Sequence, residues 1–215
     1  MHSKYVDPSS FIVNYVKGRS LFEFIIAVLL SQNTSDKNAI KAFERLREVT
    51  GNSISPERIL SLNINEIAEA IRPAGMHKER AKRIIEIAKL FSDKNFVTKL
   101  IDKLNKVPVE DARRILMEIP GVGRKTADVV LLMYFGKPTF PVDTHIMRIT
   151  RRLGFINKND YEQARSFWMK FLDSRDYLET HLLLITHGRR ICKSRNPSCT
   201  KCLLAEYCPS KQETV

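Results

Sequence analysis

Apolar residues recur at three- and four-residue intervals along most of the chain, a spacing that places them on one face of an α-helix. Gly, Pro, Asn or Ser residues separate the segments that carry this pattern. We find no convincing strand. The segments predicted to be helical are 22–30, 35–49, 65–71, 78–91, 98–107, 110–119, 125–135, 144–155, 160–172 and 177–188. The pattern therefore predicts an all-α protein.

The sequence contains few signals of a domain boundary. It has no fixed-period repeat, no low-complexity tract and no flexible linker, so any domain boundary has to be tight. The best candidate is FGKPTFPVD, residues 135–143, which holds two prolines and one glycine. With 215 residues and 43% hydrophobic content, the chain can bury the core of one or two domains.

Charge points to a polyanionic partner. Lys and Arg number 36 against 24 Asp and Glu, which gives a net charge of +12 and an isoelectric point near 9.7. Nucleic acid is the first candidate and a membrane surface the second. No apolar run reaches the roughly 18 residues of a spanning helix, and the longest, LFEFIIAVLL, is interrupted by Glu23. The N-terminal MHSKYVDPSSF has no signal-peptide pattern, so we expect a cytoplasmic protein.

The stretch LMEIPGVGRKTADVVL, residues 116–131, predicts a helix-hairpin-helix motif. Gly121 and Gly123 make a tight turn, and the second helix starts near Arg124. Arg124 and Lys125 lie at the end of that helix where the macrodipole favours acidic residues. Backbone amides at a helix N-terminus form an anion site, and glycines allow a ligand to approach closely. A plain helix-to-helix turn is the alternative, but the two basic residues and the net charge favour a DNA phosphate.

Lys125 is a candidate nucleophile. Most lysines are solvated surface charges, and one near a phosphate usually only neutralises it. Here the positive helix terminus, the adjacent Arg124 and any partial burial all disfavour the ammonium form, and a neutral amine is what a nucleophile requires. Such a lysine can form a Schiff base.

The stretch PVDTHIMR, residues 141–148, supplies a second candidate. Asp143 precedes a helix, and an N-cap role alone accounts for an Asp in that place. Capping is compatible with catalysis, because a carboxylate held by amides stays ionised and can stabilise positive charge or move protons. We expect His145 to be structural or to contact phosphate, since nothing in the sequence pairs it with a nucleophile.

The four cysteines all lie in the last 24 residues, as Cys-x6-Cys-x2-Cys-x5-Cys. In a reducing compartment this crowding favours metal or cluster ligation over disulfides. Four thiolates hold either zinc or a four-iron cluster, and the single close Cys-x2-Cys pair mildly favours the cluster. Basic residues between the ligands suit phosphate contacts, although a solvated basic face is the alternative. The cysteines are Cys192, Cys199, Cys202 and Cys208, and the basic residues are Lys193, Arg195 and Lys201.

In this order, IPGVGRKTA, VDTH and the cysteine loop resemble the endonuclease III family of helix-hairpin-helix-GPD DNA glycosylases. The likeness extends from FEFIIAVLLSQ to EYC, and the combination is specific although each part alone is not. The resemblance implies that Lys125 is the nucleophile and Asp143 the catalytic aspartate. It also implies that the four cysteines hold a [4Fe-4S] cluster.

The resemblance further implies two helical domains flanking a DNA-binding cleft. One is a six-helix barrel, residues 19–136, that ends in the helix-hairpin-helix with its hairpin at 120–123. The other is discontinuous, residues 1–18 plus 137–215, and carries the cluster loop 192–208.

The implied activity is base-excision repair. The protein is expected to be a DNA glycosylase with AP lyase activity, a nucleoid-associated monomer that acts on double-stranded DNA containing damaged bases or abasic sites. Oxidised pyrimidines are the implied substrates, because loss of aromaticity weakens their glycosidic bond. A monofunctional mismatch-directed glycosylase of the same superfamily is one alternative. A non-catalytic DNA-binding module with a zinc loop is the other.

Base excision requires that the nucleotide be extruded and the gap filled. By its place in LSQNTSD, either Gln32 or Asn33 supplies an amide for this, and Met76 stands where relatives carry an apolar wedge, with His77 beside it. SQNTSD differs from the SAQATD of the best-known members, so the opposite-base preference is left open. The full set of expected DNA contacts is Gly121, Val122, Gly123, Arg124, Gln32, Asn33, Met76, His77, His145, Lys193, Arg195 and Lys201.

Overall fold

The computed structural model describes residues 11–211, which contain twelve α-helices and no β-strand. The helices are α1 (Ile12–Tyr15), α2 (Leu21–Ser31), α3 (Asp36–Val49), α4 (Pro56–Leu60), α5 (Ile64–Ala70), α6 (His77–Phe91), α7 (Lys94–Lys106), α8 (Val109–Met117), α9 (Arg124–Met133), α10 (Thr144–Arg152), α11 (Tyr161–Phe171) and α12 (Tyr177–Arg190). Short 3-10 turns form at Arg72–Ala74, Ser174–Asp176, Cys199–Lys201 and Ala205–Tyr207. The all-α prediction is confirmed, and each predicted segment coincides with one helix.

Two helices, α1 and α4, were not predicted. They are four and five residues long, too short to show a helical period. Their start signals differ. The Ser55 side chain accepts a hydrogen bond from the Arg58 amide and Pro56 occupies the first turn of α4, whereas no side chain caps α1.

The described chain divides into two compact units, residues 11–136 and 137–211. Residues 11–18 were expected in the C-terminal domain, but they pack in the first unit. Ile12 and Val16 are buried in its core, and the Ile12 amide donates a 3.0 Å hydrogen bond to Asp36 Oδ1. Residues 1–10 of that predicted segment lie outside the described residues.

Helix α2 is the core of the first unit. It is apolar on nearly every side, and α3, α6 and α9 pack around it, so all its residues from Leu21 to Leu30 except Glu23 are buried. Glu23 completes a capping box with Ser20, in which the Glu23 amide donates to Ser20 Oγ and the Ser20 amide donates to Glu23 Oε2. None of the described helices combines the length and hydropathy that a membrane crossing requires.

The second unit packs α10 against α12 and α11 around aromatic side chains. Phe140 stacks on Trp168 with a centroid separation of 5.7 Å, and Trp168 Nε1 donates a 2.8 Å hydrogen bond to Thr150 Oγ1. The cysteine-bearing segment follows α12 directly. This packing fixes the start of α10, where Asp143 lies.

Candidate functional site

The hairpin between α8 and α9 depends on glycine at position 121. Gly121 has a φ of +78°, a left-handed conformation that L side chains rarely adopt. A Cβ atom there would lie 3.1 Å from Arg83 Cδ and 3.2 Å from Leu29 Cδ1. Gly121 is therefore required by the fold itself.

Gly123 is different, because none of residues 11–211 would obstruct a side chain there. Its backbone is extended, with φ −92° and ψ −178°, and a Cβ atom there would meet nothing within 4 Å. It is the N-cap residue of α9, and it leaves open space at the first turn, where helix amides point outward.

The hairpin amides are not all available to a ligand. The Val122 amide donates a 3.0 Å hydrogen bond to the Ile119 carbonyl. The Gly121 and Gly123 amides donate to no acceptor within residues 11–211. Among the three hairpin residues predicted to contact DNA, the two glycines therefore present unused donors.

A buried ion pair fixes α8 against α9. Arg113 Nε lies 2.9 Å from Asp128 Oδ1, and both side chains are buried. Arg113 also donates a 2.8 Å hydrogen bond to Glu110. Because one guanidinium joins carboxylates on both helices, it fixes the angle at which the hairpin leaves the core.

Lys125 is the second residue of α9 and is half-buried, whereas Arg124 is exposed. The residues that follow, 126–132, are all buried, so α9 is anchored just beyond the lysine. The first turn of α9 contains no acidic residue. Two cations therefore occupy the positive end of a helix dipole without a carboxylate in that turn.

The structure distinguishes Gln32 from Asn33. Gln32 Nε2 donates hydrogen bonds to the Gly121 carbonyl at 3.3 Å and to Thr126 Oγ1 at 3.2 Å, so this amide fastens the hairpin. Asn33 is exposed and has a left-handed backbone with φ +54°. Of the two, only Asn33 is exposed, and Gln32 is held by these internal bonds.

Met76 combines exposure with an unfavourable backbone. Its side chain is 58% exposed, and its φ of +49° is left-handed. Such a conformation costs an L residue roughly 1–2 kcal/mol. Strain at an exposed apolar residue is a feature of functional positions. His77 next to it is half-buried and begins α6.

Asp143 is the N-cap of α10, and its Oδ1 accepts a 2.8 Å hydrogen bond from the Ile146 amide. Two hydrogen bonds fix the backbone segment that precedes Asp143. His181 Nδ1 lies 3.0 Å from the Pro141 carbonyl, and the Val142 amide donates to Tyr161 Oη at 3.4 Å. The carboxylate thus has a fixed position at the edge of a pocket that also holds arginines of α10.

His145 is packed inside the second unit. A Cβ atom on Gly188 would lie 2.6 Å from His145 Cβ, so glycine allows α12 to approach this ring. Arg148 Nη2 lies 3.0 Å from His145 Nδ1. Burial lowers the pKa of His145, with Asp143 acting in the opposite direction and Arg148 adding to the decrease. These contacts favour the structural interpretation of His145 over a phosphate contact.

The four cysteines line one pocket of the second unit. All four are free thiols and half-buried, and burial raises the pKa of Cys202. Residues 11–211 contain no group of three or more His, Cys, Asp or Glu side chains that could hold a metal ion. Four cysteine thiolates are the donor set of a [4Fe-4S] cluster and also of a structural zinc ion.

Two arginines of α10 hold the entry to the cysteine loop. Arg148 Nε donates a 2.9 Å hydrogen bond to the Cys192 carbonyl. Arg152 Nη1 donates to the Lys193 carbonyl at 2.7 Å and lies 3.3 Å from Cys192 Sγ. Helix α10, which Asp143 caps, is therefore bonded to the first cysteine of the loop. The basic side chains of Lys193, Arg195 and Lys201 are exposed.

Comparisons with known proteins agree with this arrangement. Residues 26–173 match the HhH-GPD superfamily base excision DNA repair protein model. Endonuclease III of Sulfolobus acidocaldarius is 41% identical over 206 residues, which covers 94% of this chain and 89% of that relative. The chain belongs to the endonuclease III family of this superfamily. Endonuclease III of Escherichia coli is 34% identical over 194 residues, covering 90% of this chain and 86% of the relative.

A solved structure of an endonuclease III family protein gives the same result. The trapped endonuclease III–DNA covalent intermediate has a TM-score of 0.74 and 34% sequence identity, and the match covers 90% of this chain and 85% of that one. The family therefore includes a protein that has been captured in covalent linkage to DNA.

Several residues of this endonuclease III family member were missed by sequence reasoning. They support the site from positions far away in the chain, where no spacing or motif signals them. The most informative are Arg80, Arg83, Arg148, Arg152 and His181.

Proposed function

We propose that this chain is a bifunctional enzyme of base-excision repair, a DNA glycosylase with AP lyase activity that uses Lys125 as its nucleophile. The observation that carries the proposal is the position of Lys125. It is half-buried in the first turn of α9, directly after a hairpin whose Gly121 and Gly123 amides have no acceptor in the described part of the chain. Family membership and the covalent DNA complex of a relative support the assignment.

The proposed reaction begins at C1′ of the damaged nucleoside. Lys125 Nζ forms a bond to C1′ while the bond between C1′ and the base breaks, and the base leaves with that electron pair. The nitrogen lone pair then forms an imine as the C1′–O4′ bond opens and O4′ takes a proton. Loss of a C2′ proton releases the 3′ phosphate by cleavage of the C3′–O bond.

Asp143 is proposed to stabilise the positive charge that develops on the sugar and to move protons during cleavage. The Ile146 amide donates a hydrogen bond to Asp143 Oδ1, which orients the carboxylate. The contacts of Pro141 and Val142 with α12 and α11 keep that carboxylate in place.

DNA containing oxidised pyrimidines or abasic sites is the proposed substrate, and a monomer is the proposed active form. The hairpin glycines and Arg124 would contact the backbone, as would the exposed Lys193, Arg195 and Lys201 of the cysteine loop. Asn33 is the better candidate to fill the gap, since Gln32 is occupied by the hairpin. Met76 would be the apolar wedge, with His77 beside it.

The four cysteines Cys192, Cys199, Cys202 and Cys208 are proposed to hold a [4Fe-4S] cluster. Bound there, the cluster would crosslink the loop that carries the basic residues. Arg152 beside Cys192 and His187, whose Nε2 lies 3.5 Å from Cys202 Sγ, would form its surroundings.

Borohydride trapping tests the proposed function. The purified protein is incubated with duplexes that contain thymine glycol or an abasic site, and the covalent adduct is compared for wild type, Lys125→Gln and Lys125→Arg. Lys125→Arg keeps the positive charge but lacks the nucleophile, so we expect it to bind DNA and form no adduct. Lys125→Gln should also form none and bind more weakly.

An adduct that persists in both variants would exclude Lys125 as the nucleophile. A wild type that binds both duplexes but forms no adduct would overturn the lyase assignment. Release of a mismatched base in that case would identify the monofunctional glycosylase, and absence of base release would identify a DNA-binding module.

A further inference from the structure

Two arginines lie on one face of α6, one against the end of α2 and one against the hairpin, and neither is paired with a carboxylate within residues 11–211. Arg80 and Arg83 are three residues apart, a spacing at which helix side chains are neighbours. Two like charges this close repel each other, so the contacts of each guanidinium decide what the arginine does.

Arg80 is 3% exposed, and it is bonded to backbone rather than to a carboxylate. Its guanidinium donates to the Leu29, Leu30 and Gln32 carbonyls at the end of α2. Burial, with the Arg83 charge adding to it, lowers the pKa of Arg80, although an arginine stays protonated. A permanent positive charge is thus buried under the Gln32 loop with only dipoles to balance it.

Arg83 has its aliphatic stem against the hairpin and its charge in solvent. A Cβ atom on Gly121 would lie 3.1 Å from Arg83 Cδ and 3.9 Å from its Cβ, which places the stem directly under that glycine. No residue from 11 to 211 forms a hydrogen bond or ion pair with the Arg83 guanidinium, although Glu79 and Glu86 are within one turn.

Lys82 shows that α6 does form ion pairs elsewhere. Its Nζ lies 3.1 Å from Glu79 Oε1, and both side chains are exposed. The two adjacent cations of α6 therefore differ in their contacts. Lys82 pairs with a carboxylate, whereas the stem of Arg83 packs against the hairpin.

We propose that Arg83 binds a DNA backbone phosphate held at the hairpin, together with the unused Gly121 and Gly123 amides. This inference rests on the proposed function, because it takes duplex DNA as the ligand. A phosphate at this place would supply a counter-charge for the Arg83 guanidinium. Arg83 would then contribute to DNA binding and not to the chemical step.

The expected effect follows from counterion release. Each phosphate contact adds about 0.9 to the slope of log K against log salt. Removing one contact should therefore reduce the slope by about 0.9 and weaken binding by about eightfold at 0.1 M salt, if the contact contributes nothing at 1 M.

The experiment compares Arg83→Gln with Lys82→Gln, which removes the same charge from the adjacent residue of the same helix. Binding of the full, cluster-loaded chain to a duplex with a non-cleavable tetrahydrofuran abasic site is measured by fluorescence anisotropy at several salt concentrations. Arg83→Gln should lower the slope, whereas Lys82→Gln should leave it unchanged. Arg83→Lys should restore the slope, because an ammonium also neutralises a phosphate. Trapping at saturating DNA should be equal in all of them.

Equal slopes for Arg83→Gln and wild type would overturn the inference, as would equal losses in the two glutamine variants, which would indicate only the effect of total charge. A loss of trapping at saturating DNA in Arg83→Gln would also contradict it. These results differ from failure of the proposed function, in which wild type binds the abasic duplex without forming any adduct.

Discussion

The two hairpin glycines test whether one residue of this motif is needed for stability and the other for DNA binding. We consider the same substitution at both, Gly121→Ser and Gly123→Ser. Serine adds a Cβ and a hydroxyl at positions two residues apart, so the pair controls for the chemistry of the new side chain. The structure predicts opposite consequences for stability.

Gly121→Ser should destabilise the protein. A non-glycine residue at the Gly121 φ of +78° costs roughly 1–2 kcal/mol. The new Cβ would also be 3.1 Å from Arg83 Cδ and 3.2 Å from Leu29 Cδ1. Shifting either side chain off its rotamer adds about 0.5–1.5 kcal/mol. The total is about 1.5–3.5 kcal/mol, which lowers the thermal midpoint of a chain of this length by roughly 3–14 °C.

Gly123→Ser should leave stability equal or slightly higher. The extended backbone accepts any residue and the Cβ meets nothing within 4 Å. Serine is a better N-cap than glycine by a few tenths of a kcal/mol. DNA binding should nevertheless weaken, because the side chain fills the space through which a phosphate would reach the amides. Loss of one charge-assisted hydrogen bond, about 1.5–3 kcal/mol, corresponds to a roughly 10- to 150-fold weaker affinity.

Thermal unfolding of the cluster-loaded variants and anisotropy with the tetrahydrofuran duplex measure the two effects separately. The reasoning fails if Gly123→Ser lowers the midpoint as much as Gly121→Ser does. It also fails if Gly123→Ser binds the duplex as tightly as wild type, because the open space over the first turn of α9 would then have no role in DNA binding.

Two further outcomes are expected. Asn33→Gly keeps the left-handed backbone and should leave the thermal midpoint unchanged while slowing base release in single-turnover assays. Gln32→Leu removes two hydrogen bonds to the hairpin and should lower the midpoint. Equal midpoints in the two variants would contradict these different roles of Asn33 and Gln32. Burial lowers the pKa of His145 below its ordinary value of 6.5. Between these two pKa values the native protein binds fewer protons than the unfolded chain. The free energy of unfolding should therefore fall as the pH decreases below about 7. His145→Asn should show a shallower pH dependence of the midpoint, and an identical profile would refute the assignment.

The sequence predicted the long helices well because their apolar period repeats over at least two turns. Helices α1 and α4 lack that length, so no period could reveal them. The placement of residues 11–18 was wrong for another reason. A short apolar segment at one end of a chain packs equally well, as far as its sequence shows, against either unit. Only the contacts of Ile12 and Val16 with the first unit decide it.

Candidate site residues were accessible to sequence reasoning where the chemistry is local. Gly121 through Lys125 are consecutive, and Asp143 caps the helix that it precedes. The residues that support them were not. Gln32 meets the hairpin across 89 residues, and Arg80 meets the end of α2 across about 50. A single glutamine or arginine on an amphipathic helix carries no signal of such a partner.

The charges around the hairpin make sense only as one arrangement. Arg124 and Lys125 lie at the positive end of the α9 dipole. Arg80 is buried and bonded to backbone carbonyls. Within residues 11–211, Arg83 forms an ion pair with neither of the two glutamates one turn away. Cations at the N-terminus of a helix oppose its dipole, and like charges close together repel each other. Arg83, Arg124 and Lys125 thus bring three positive charges next to the hairpin glycines. Under the proposed function, the phosphates of duplex DNA are the anions that these charges would bind.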